Sequence, residues 1–276
     1  MHNIIAERLR QGMRTGEWPA RPASFPARFR GRPVIDSSKC PDGCRACATA
    51  CPTSAIDFAT GRARLDLGKC LFCPLCVEAC PEGAVSYTTA PEMAVRRRED
   101  LLVAGSELHL AGALESKMRS LFGRSLKLRE VCAGSCNGCD QEIVATGNVV
   151  FDLGRFGVQF VASPRHADGL MVTGPVTANM RHALLETYAA IPPPKIVIVV
   201  GACAISGGPF AGNPEANSGV GDLLPVDLFI PGCPPHPITI LDGLLRLLGR
   251  LDGTPRMEPS ATPSSGERAG LPQRSS

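Results

Sequence analysis

The sequence has no uninterrupted apolar run approaching the roughly 18 residues that a membrane span needs. It opens MHNIIAERLRQGMRTG, without the apolar core of a signal peptide, and its Arg96-Arg97-Arg98 lies too deep to be an export signal. Charge of one sign is scarce, since a formal +3 is too small to argue for nucleic acid. Aromatics are only 5%, beside 44% hydrophobic and 20% charged residues, which is a globular profile. No Ser-His-Asp set, P-loop or GxGxxG fingerprint is present, so the chain shows no evident substrate chemistry of its own. These absences predict a cytoplasmic protein with no direct membrane span and no nucleic-acid partner.

What it has is cysteine: thirteen in 276 residues. Disulfide scaffolds are short secreted chains, so the pattern reads as metal ligation in a reducing compartment. Cys40, Cys44, Cys47 and Cys51 form one run before Pro52, and Cys70, Cys73, Cys76 and Cys80 a second before Pro81. Cys136, Cys139, Cys203 and Cys233 are scattered. Thiolate is the soft ligand that iron–sulfur clusters require, and three sets of four imply three [4Fe–4S] clusters. Bound clusters would make the holo-protein more acidic than its sequence.

Residues 34–90 hold an internal repeat, CPDGCRACATACPTSAIDF and CLFCPLCVEACPEGAVSYT, joined by the turn-like ATGRARLD. Each half ends in a short apolar strand, Ala55–Phe58 or Ala84–Tyr87, giving a small α+β ferredoxin-like domain that needs its metal. The second run matches the bacterial ferredoxin pattern, in which the fourth cysteine serves the neighbouring cluster. The expected sets are Cys40, Cys44, Cys47 with Cys80, and Cys70, Cys73, Cys76 with Cys51. Three residues, not two, separate Cys40 from Cys44, so a three-iron cluster there is an alternative. Zinc is the competing reading of Cys-x-x-Cys pairs, but two adjacent runs ending Cys-Pro fit it poorly.

Residues 1–33 are Arg- and Pro-rich and read as an extended arm, in which Ile4, Ile5, Leu9 and Met13 mark one face of a short helix. The arm is either a frayed terminus or a segment docking on a partner subunit. Leucines at helical spacing (Leu101, Leu102, Leu108, Leu110, Leu114) and Met118 predict a helical linker over residues 91–122. Residues 123–251 alternate strand and helix patterns. Strands are expected at Leu126–Val131, Val158–Ala162, Leu170–Thr173, Ile196–Val200 and Val226–Ile230, and helices at Ala178–Ala190 and Ile238–Leu251. Runs such as KIVIVV suit a mainly parallel sheet, hence an α/β class. Residues 252–276 are Pro/Ser-rich and read as a disordered tail.

The scattered cysteines all follow expected strands, where ligands of open α/β sheets bind. Gly134, Gly138, Gly207, Gly208 and Gly232 let backbone approach a cluster, and Gly174-Pro175 closes the same edge. Buried free thiols are the alternative for any one of these cysteines. Glu142 is either a proton-handling carboxylate near a partner or an exposed acid in a first helical turn. His166 and His236, near the proposed site, read as structural.

GSCNGCDQEI, PRHADGLMVTGPV, GACAISGGPF and PGCPP together resemble the small subunit of energy-converting [NiFe]-hydrogenases, formate hydrogenlyase included, and its relative, the complex I subunit that carries the last cluster before quinone. The resemblance covers roughly residues 120–250. It implies a flavodoxin-like fold in which Cys136, Cys139, Cys203 and Cys233 hold a proximal [4Fe–4S] cluster. Complex I members have adjacent cysteines in place of Cys136-Asn-Gly-Cys139, which favours the hydrogenase branch. Cys132 departs from the pattern and reads as a spare buried thiol, with an alternate ligand as the other reading. The ferredoxin part, usually a separate subunit, here looks fused. The resemblance implies an electron-transfer subunit beside a [NiFe]-hydrogenase large subunit or a complex I-like large subunit, attached peripherally to a membrane through membrane-arm subunits. A partner without nickel, or a free-standing iron–sulfur carrier, is the alternative.

Overall fold

A computed structural model describes residues 4–59, 62–105, 107–122 and 125–251; the predicted tail lies outside the described residues. Four short strands come from the ferredoxin-like repeat: β1 (Pro33–Ile35), β2 (Ile56–Ala59), β3 (Arg62–Asp66) and β4 (Val85–Tyr87). β1 and β4 pair antiparallel, and β2 pairs β3 antiparallel. One-turn helices, Ala46–Thr49 and Leu75–Glu78, sit inside the two cysteine runs.

The stretch ATGRARLD is more than a turn, because its second part is β3. Ala63 and Leu65 alternate inward with Arg62 and Arg64 outward, the period-2 pattern of a half-buried strand. Arg64 also pairs with Asp57 on β2 at 2.8 Å.

Among the described residues, the expected helical linker forms an α-helix only at Ser116–Phe122. Leu101 closes a 3₁₀ turn, Leu102 and Val103 form β5 against β3, and Val95 bridges to Phe229. Tertiary partners meet these backbone groups: Ala111 N–H donates to Ala94 O and Leu114 N–H to Leu247 O. With its hydrogen bonds made elsewhere, the segment has no need of an i−4 ladder.

The remaining strands are β6 (Leu126–Cys132), β7 (Val158–Phe160), β8 (Gly169–Thr173), β9 (Ile196–Val200) and β10 (Leu228–Ile230). They form one sheet in the order β10-β9-β8-β6-β7, with every pair parallel. Renumbered from β6, this is the 2-1-3-4-5 order of flavodoxin-like folds. β8 and β9 are buried along their whole length. Met171, Ile196, Ile198 and Val200 point to the face carrying helix Pro237–Leu247. Leu170, Val172, Val197 and Val199 point to the other face, which shares one core with Ile35, Leu65, Leu67 and Leu101 of the ferredoxin-like part. Each such fully buried aliphatic contributes about 1.5–3 kcal/mol, so the two parts of the chain are welded through a common core.

The arm docks on this chain itself. Gly16 N–H donates to Val150 O at 2.8 Å, Arg155 donates to Trp18 O at 2.6 Å, and Trp18 is buried edge-on to Phe156. Phe25 and Phe29 stack with centroids 4.0 Å apart, and both meet His236 edge-on.

Candidate iron–sulfur sites

Two cavities in the ferredoxin-like part sort the eight cysteines. One is lined by Cys40, Cys44, Cys47 and Cys80, the other by Cys51, Cys70, Cys73 and Cys76. Each set takes three cysteines from one run and the fourth from the other. The reason is local: each run turns through a short helix that gathers three thiols, and its last cysteine leaves that helix toward the pseudo-symmetric half. Ala55 N–H donates to Cys51 Sγ and Ala84 N–H to Cys80 Sγ, both at 3.2 Å. These matching bonds, four residues after each crossing cysteine, fix the thiols that change partners. Phe72 N–H donates to Cys70 Sγ at 3.3 Å. Sequence reading missed these donors because any residue supplies an N–H; only the repeat's symmetry signals them.

Burial raises the thiols. Cys70 is pushed up to about 12, first by burial and then, against the Phe72 N–H, by Cys76, Cys51 and Cys73. Cys76 rises to about 11, chiefly by burial, with Cys73 and Cys51 next. Cys40 and Cys47 are also raised, first by burial, and both feel Cys80. Four neighbouring thiolates without compensation are costly, so such a set suits a strongly positive metal core. Among the described residues no three His, Cys, Asp or Glu side chains converge on a point where one ion would sit.

The scattered cysteines meet at the carboxyl edge of the parallel sheet. Cys136 and Cys139 follow β6, the latter in helix Gly138–Ala145; Cys203 lies in helix Ala202–Ser206 after β9; Cys233 follows β10. Cys139 is raised by burial first, then by Cys203 and Cys233, which places these thiols in one electrostatic group. Cys203 is pushed up to about 11 by burial, then by Cys233 and Cys136.

Gly201, which the sequence reading did not single out, carries this edge. Its φ is +89°, and a Cβ there would collide with Cys139 Sγ. A glycine between a buried strand and a cysteine was the available signal. Gly208 also approaches the site, with a built Cβ 3.0 Å from Cys203 Sγ, and Gly138 is 3.5 Å from Cys136 Sγ on the same measure. At Gly134, Gly207 and Gly232 a Cβ would instead meet Thr177, Ala211 and Pro235, so each of these positive-φ glycines also shapes a tight turn. Gly174 packs on Ser135 and Ala133, closing the same edge.

Beneath these loops lies a polar network. Ser135 Oγ donates to Asp140 Oδ2 at 2.5 Å and Thr173 Oγ1 to Asp140 Oδ1 at 2.7 Å. Glu130, on β6, is pushed up to about 7 by burial and by the neighbouring Asp140. Glu142 is raised by burial and lines a cavity with Cys233, His236, Arg28 and Arg30. His236 caps helix Pro237–Leu247, accepting from Ile238 N–H at 3.1 Å.

Two expectations change. Cys132 is exposed, not buried, with Sγ 3.2 Å from Ser135 Oγ, because it ends β6 with its side chain on the open side of the edge. His166 is not near the cysteines. It precedes β8, and the following Asp168 bonds to Lys127 at the amino end of β6, so it sits at the opposite sheet edge.

The set Cys51, Cys70, Cys73 and Cys76 is the middle one: it exchanges a cysteine with the first set, and Gly68, two residues before Cys70, accepts a hydrogen bond from Ser206 in the helix that carries Cys203.

Residues 136–247 match the family model for the NADH ubiquinone oxidoreductase 20 kDa subunit, and residues 32–81 the model for the 4Fe-4S dicluster domain. A probable membrane-bound hydrogenase subunit of Pyrococcus furiosus is 46% identical over 141 residues, covering 50% of this chain and 84% of that one. Formate hydrogenlyase subunit 7 of Escherichia coli is 43% identical over 140 residues, covering 51% of this chain and 55% of that one. An NADH-quinone oxidoreductase subunit of Heliobacterium modesticaldum is 43% identical over 114 residues, 41% of this chain and 65% of the relative.

Proposed function

Since the chain belongs to the NADH ubiquinone oxidoreductase 20 kDa subunit family, with a 4Fe-4S dicluster domain at its amino end, we propose that it is the three-cluster electron-transfer subunit of a hydrogenase-type complex. It is an iron–sulfur subunit of an oxidoreductase. The finer reading assigns one [4Fe–4S] cluster to each cysteine set, the third being proximal to a catalytic large subunit. When bound, such clusters take up and release single electrons at potentials set by hydrogen bonds to sulfur and by solvent exposure.

The residues supply those settings. Ala55, Phe72 and Ala84 give N–H donors to the sulfurs of the first two sets. The shared core keeps water from the inner side of the middle set, where Cys70 is buried. Gly201 and Gly208 let the loops after β9 close on Cys139 and Cys203. The observation that carries the reading is the 2.8 Å hydrogen bond from Ser206, in the helix that holds Cys203, to Gly68, two residues before Cys70, which joins the sheet edge to the ferredoxin-like part.

The partner in this reading is a [NiFe]-hydrogenase large subunit, with membrane-arm subunits reached through the complex and the chain held peripherally at the membrane. Cys136-Asn-Gly-Cys139, shared in kind with the hydrogenase branch, favours it over a nickel-free complex I-like partner. Anaerobic purification of the complex from its source tests this. A co-purifying large subunit containing nickel is expected, with bleaching of this chain's visible absorbance under hydrogen. A nickel-free partner and no hydrogen response would overturn it.

A further inference from the structure

The helix Ile4–Gln11 presents an apolar face to solvent. Ile4 is 82% exposed, Ile5 72%, Leu9 78% and Met13, just past its end, 81%. Ile5, Leu9 and Met13 follow i, i+4, i+8 spacing and so share one side. Eight residues are too few for a helix to persist in water by itself, so this face calls for a surface to cover it. We propose that the surface is an anionic lipid bilayer, on which the helix lies in the interfacial plane.

Charge selects that occupant. Arg8, Arg10, Arg14 and Arg21 are exposed on and just after the helix, against only Glu7 and Glu17 as acids, whereas Arg28 and Arg30 belong to the cavity of Glu142 and Cys233. Both acids are already engaged, Glu7 by Arg10 at 2.8 Å and Glu17 by Arg21 at 2.7 Å. An apolar stripe beside excess arginine is the pattern of helices bound at anionic membrane surfaces. A protein groove would need an acidic rim of matching shape, whereas a bilayer needs only apolar depth and negative charge.

The mooring also fits. Gly12 breaks the helix with φ +64°, and the chain is pinned four residues later by Gly16 to Val150 and by the buried Trp18. A membrane-bound helix would thus hold the sheet domain within a few residues of the surface. This inference does not depend on which large subunit is the partner.

The test is flotation of the full, cluster-loaded chain with vesicles. One set is phosphatidylcholine alone, the other includes about one third phosphatidylglycerol. Binding about tenfold higher to the anionic vesicles is expected at low salt, falling as salt is raised to about 0.5 M. The double substitution Ile5→Glu with Leu9→Glu should reduce binding to the zwitterionic level while leaving iron content unchanged. Because both positions are exposed, the fold has no reason to respond. Equal, low binding of the parent chain to both vesicle types would overturn the proposal and leave the face to a protein partner. Undiminished binding by the double variant would overturn it as well.

Discussion

Ser206 Oγ donates to the main-chain oxygen of Gly68 at 2.8 Å. Ser206 ends the helix that carries Cys203, and Gly68 lies two residues before Cys70, so one bond ties the third cysteine set to the middle one. Gly68 has no room for a side chain there, since a Cβ would come within 2.7 Å of Ile205 Cγ2 and 3.0 Å of Arg98 Cζ. Ser206→Ala should cost about 1 kcal/mol of stability, and Gly68→Ala about 1–3 kcal/mol through overpacking. Anaerobic thermal unfolding checks both, and a smaller loss for Gly68→Ala than for Ser206→Ala would contradict the tight seam.

The exchange of Cys51 and Cys80 between halves makes a selective prediction. Cys80→Ser should disturb the site of Cys40, Cys44 and Cys47, and Cys51→Ser the site of Cys70, Cys73 and Cys76. Each variant should lose up to about four irons, with low-temperature electron paramagnetic resonance showing a different signal lost in each. If Cys80→Ser instead altered the set containing Cys70, the crossing would be wrong.

Gly201 offers a substitution that leaves every thiol in place. Gly201→Ala combines a strained φ of +89° with a collision at Cys139 Sγ. The variant should lose about four irons from the third site and keep the ferredoxin-type signals. Full retention of iron would mean that this edge is more yielding than its geometry says.

Glu130 predicts a pH dependence. Burial and Asp140 raise its carboxyl from an ordinary 4.5 to about 7. The folded chain therefore holds a proton that the unfolded chain has already released. Its favourable contribution is present below about 4.5 and is lost as pH rises toward 7. Glu130→Gln should remove this slope, raising stability at pH 8 relative to the parent by about 1–2 kcal/mol after allowance for solvent screening. Identical pH profiles of melting for the two chains would count against it.

The carboxyl-edge position of Cys136, Cys139, Cys203 and Cys233 was legible because β9 and β10 announce themselves as apolar runs and β6 as an alternating one, and cysteines that follow neighbouring parallel strands lie at one sheet edge. The tandem repeat likewise carries the expectation that Cys51 and Cys80 change partners, and each lines a cavity with the other run's cysteines. The path of residues 91–115 was not legible: Val95 and Ala111 find their hydrogen bonds on Phe229 and Ala94, contacts that no local period encodes. The arm's docking through Trp18, Phe25 and Phe29 is hidden for the same reason. Cys132 and His166 misled because nearness in sequence to a motif does not say which side or which end of a strand a residue takes.

Anaerobic quantification of iron and acid-labile sulfide in the isolated full chain tests the central claim most directly. Three four-iron clusters predict about twelve irons and about twelve sulfides per chain, without zinc. A count near four, or zinc in place of iron, would contradict the three-site account.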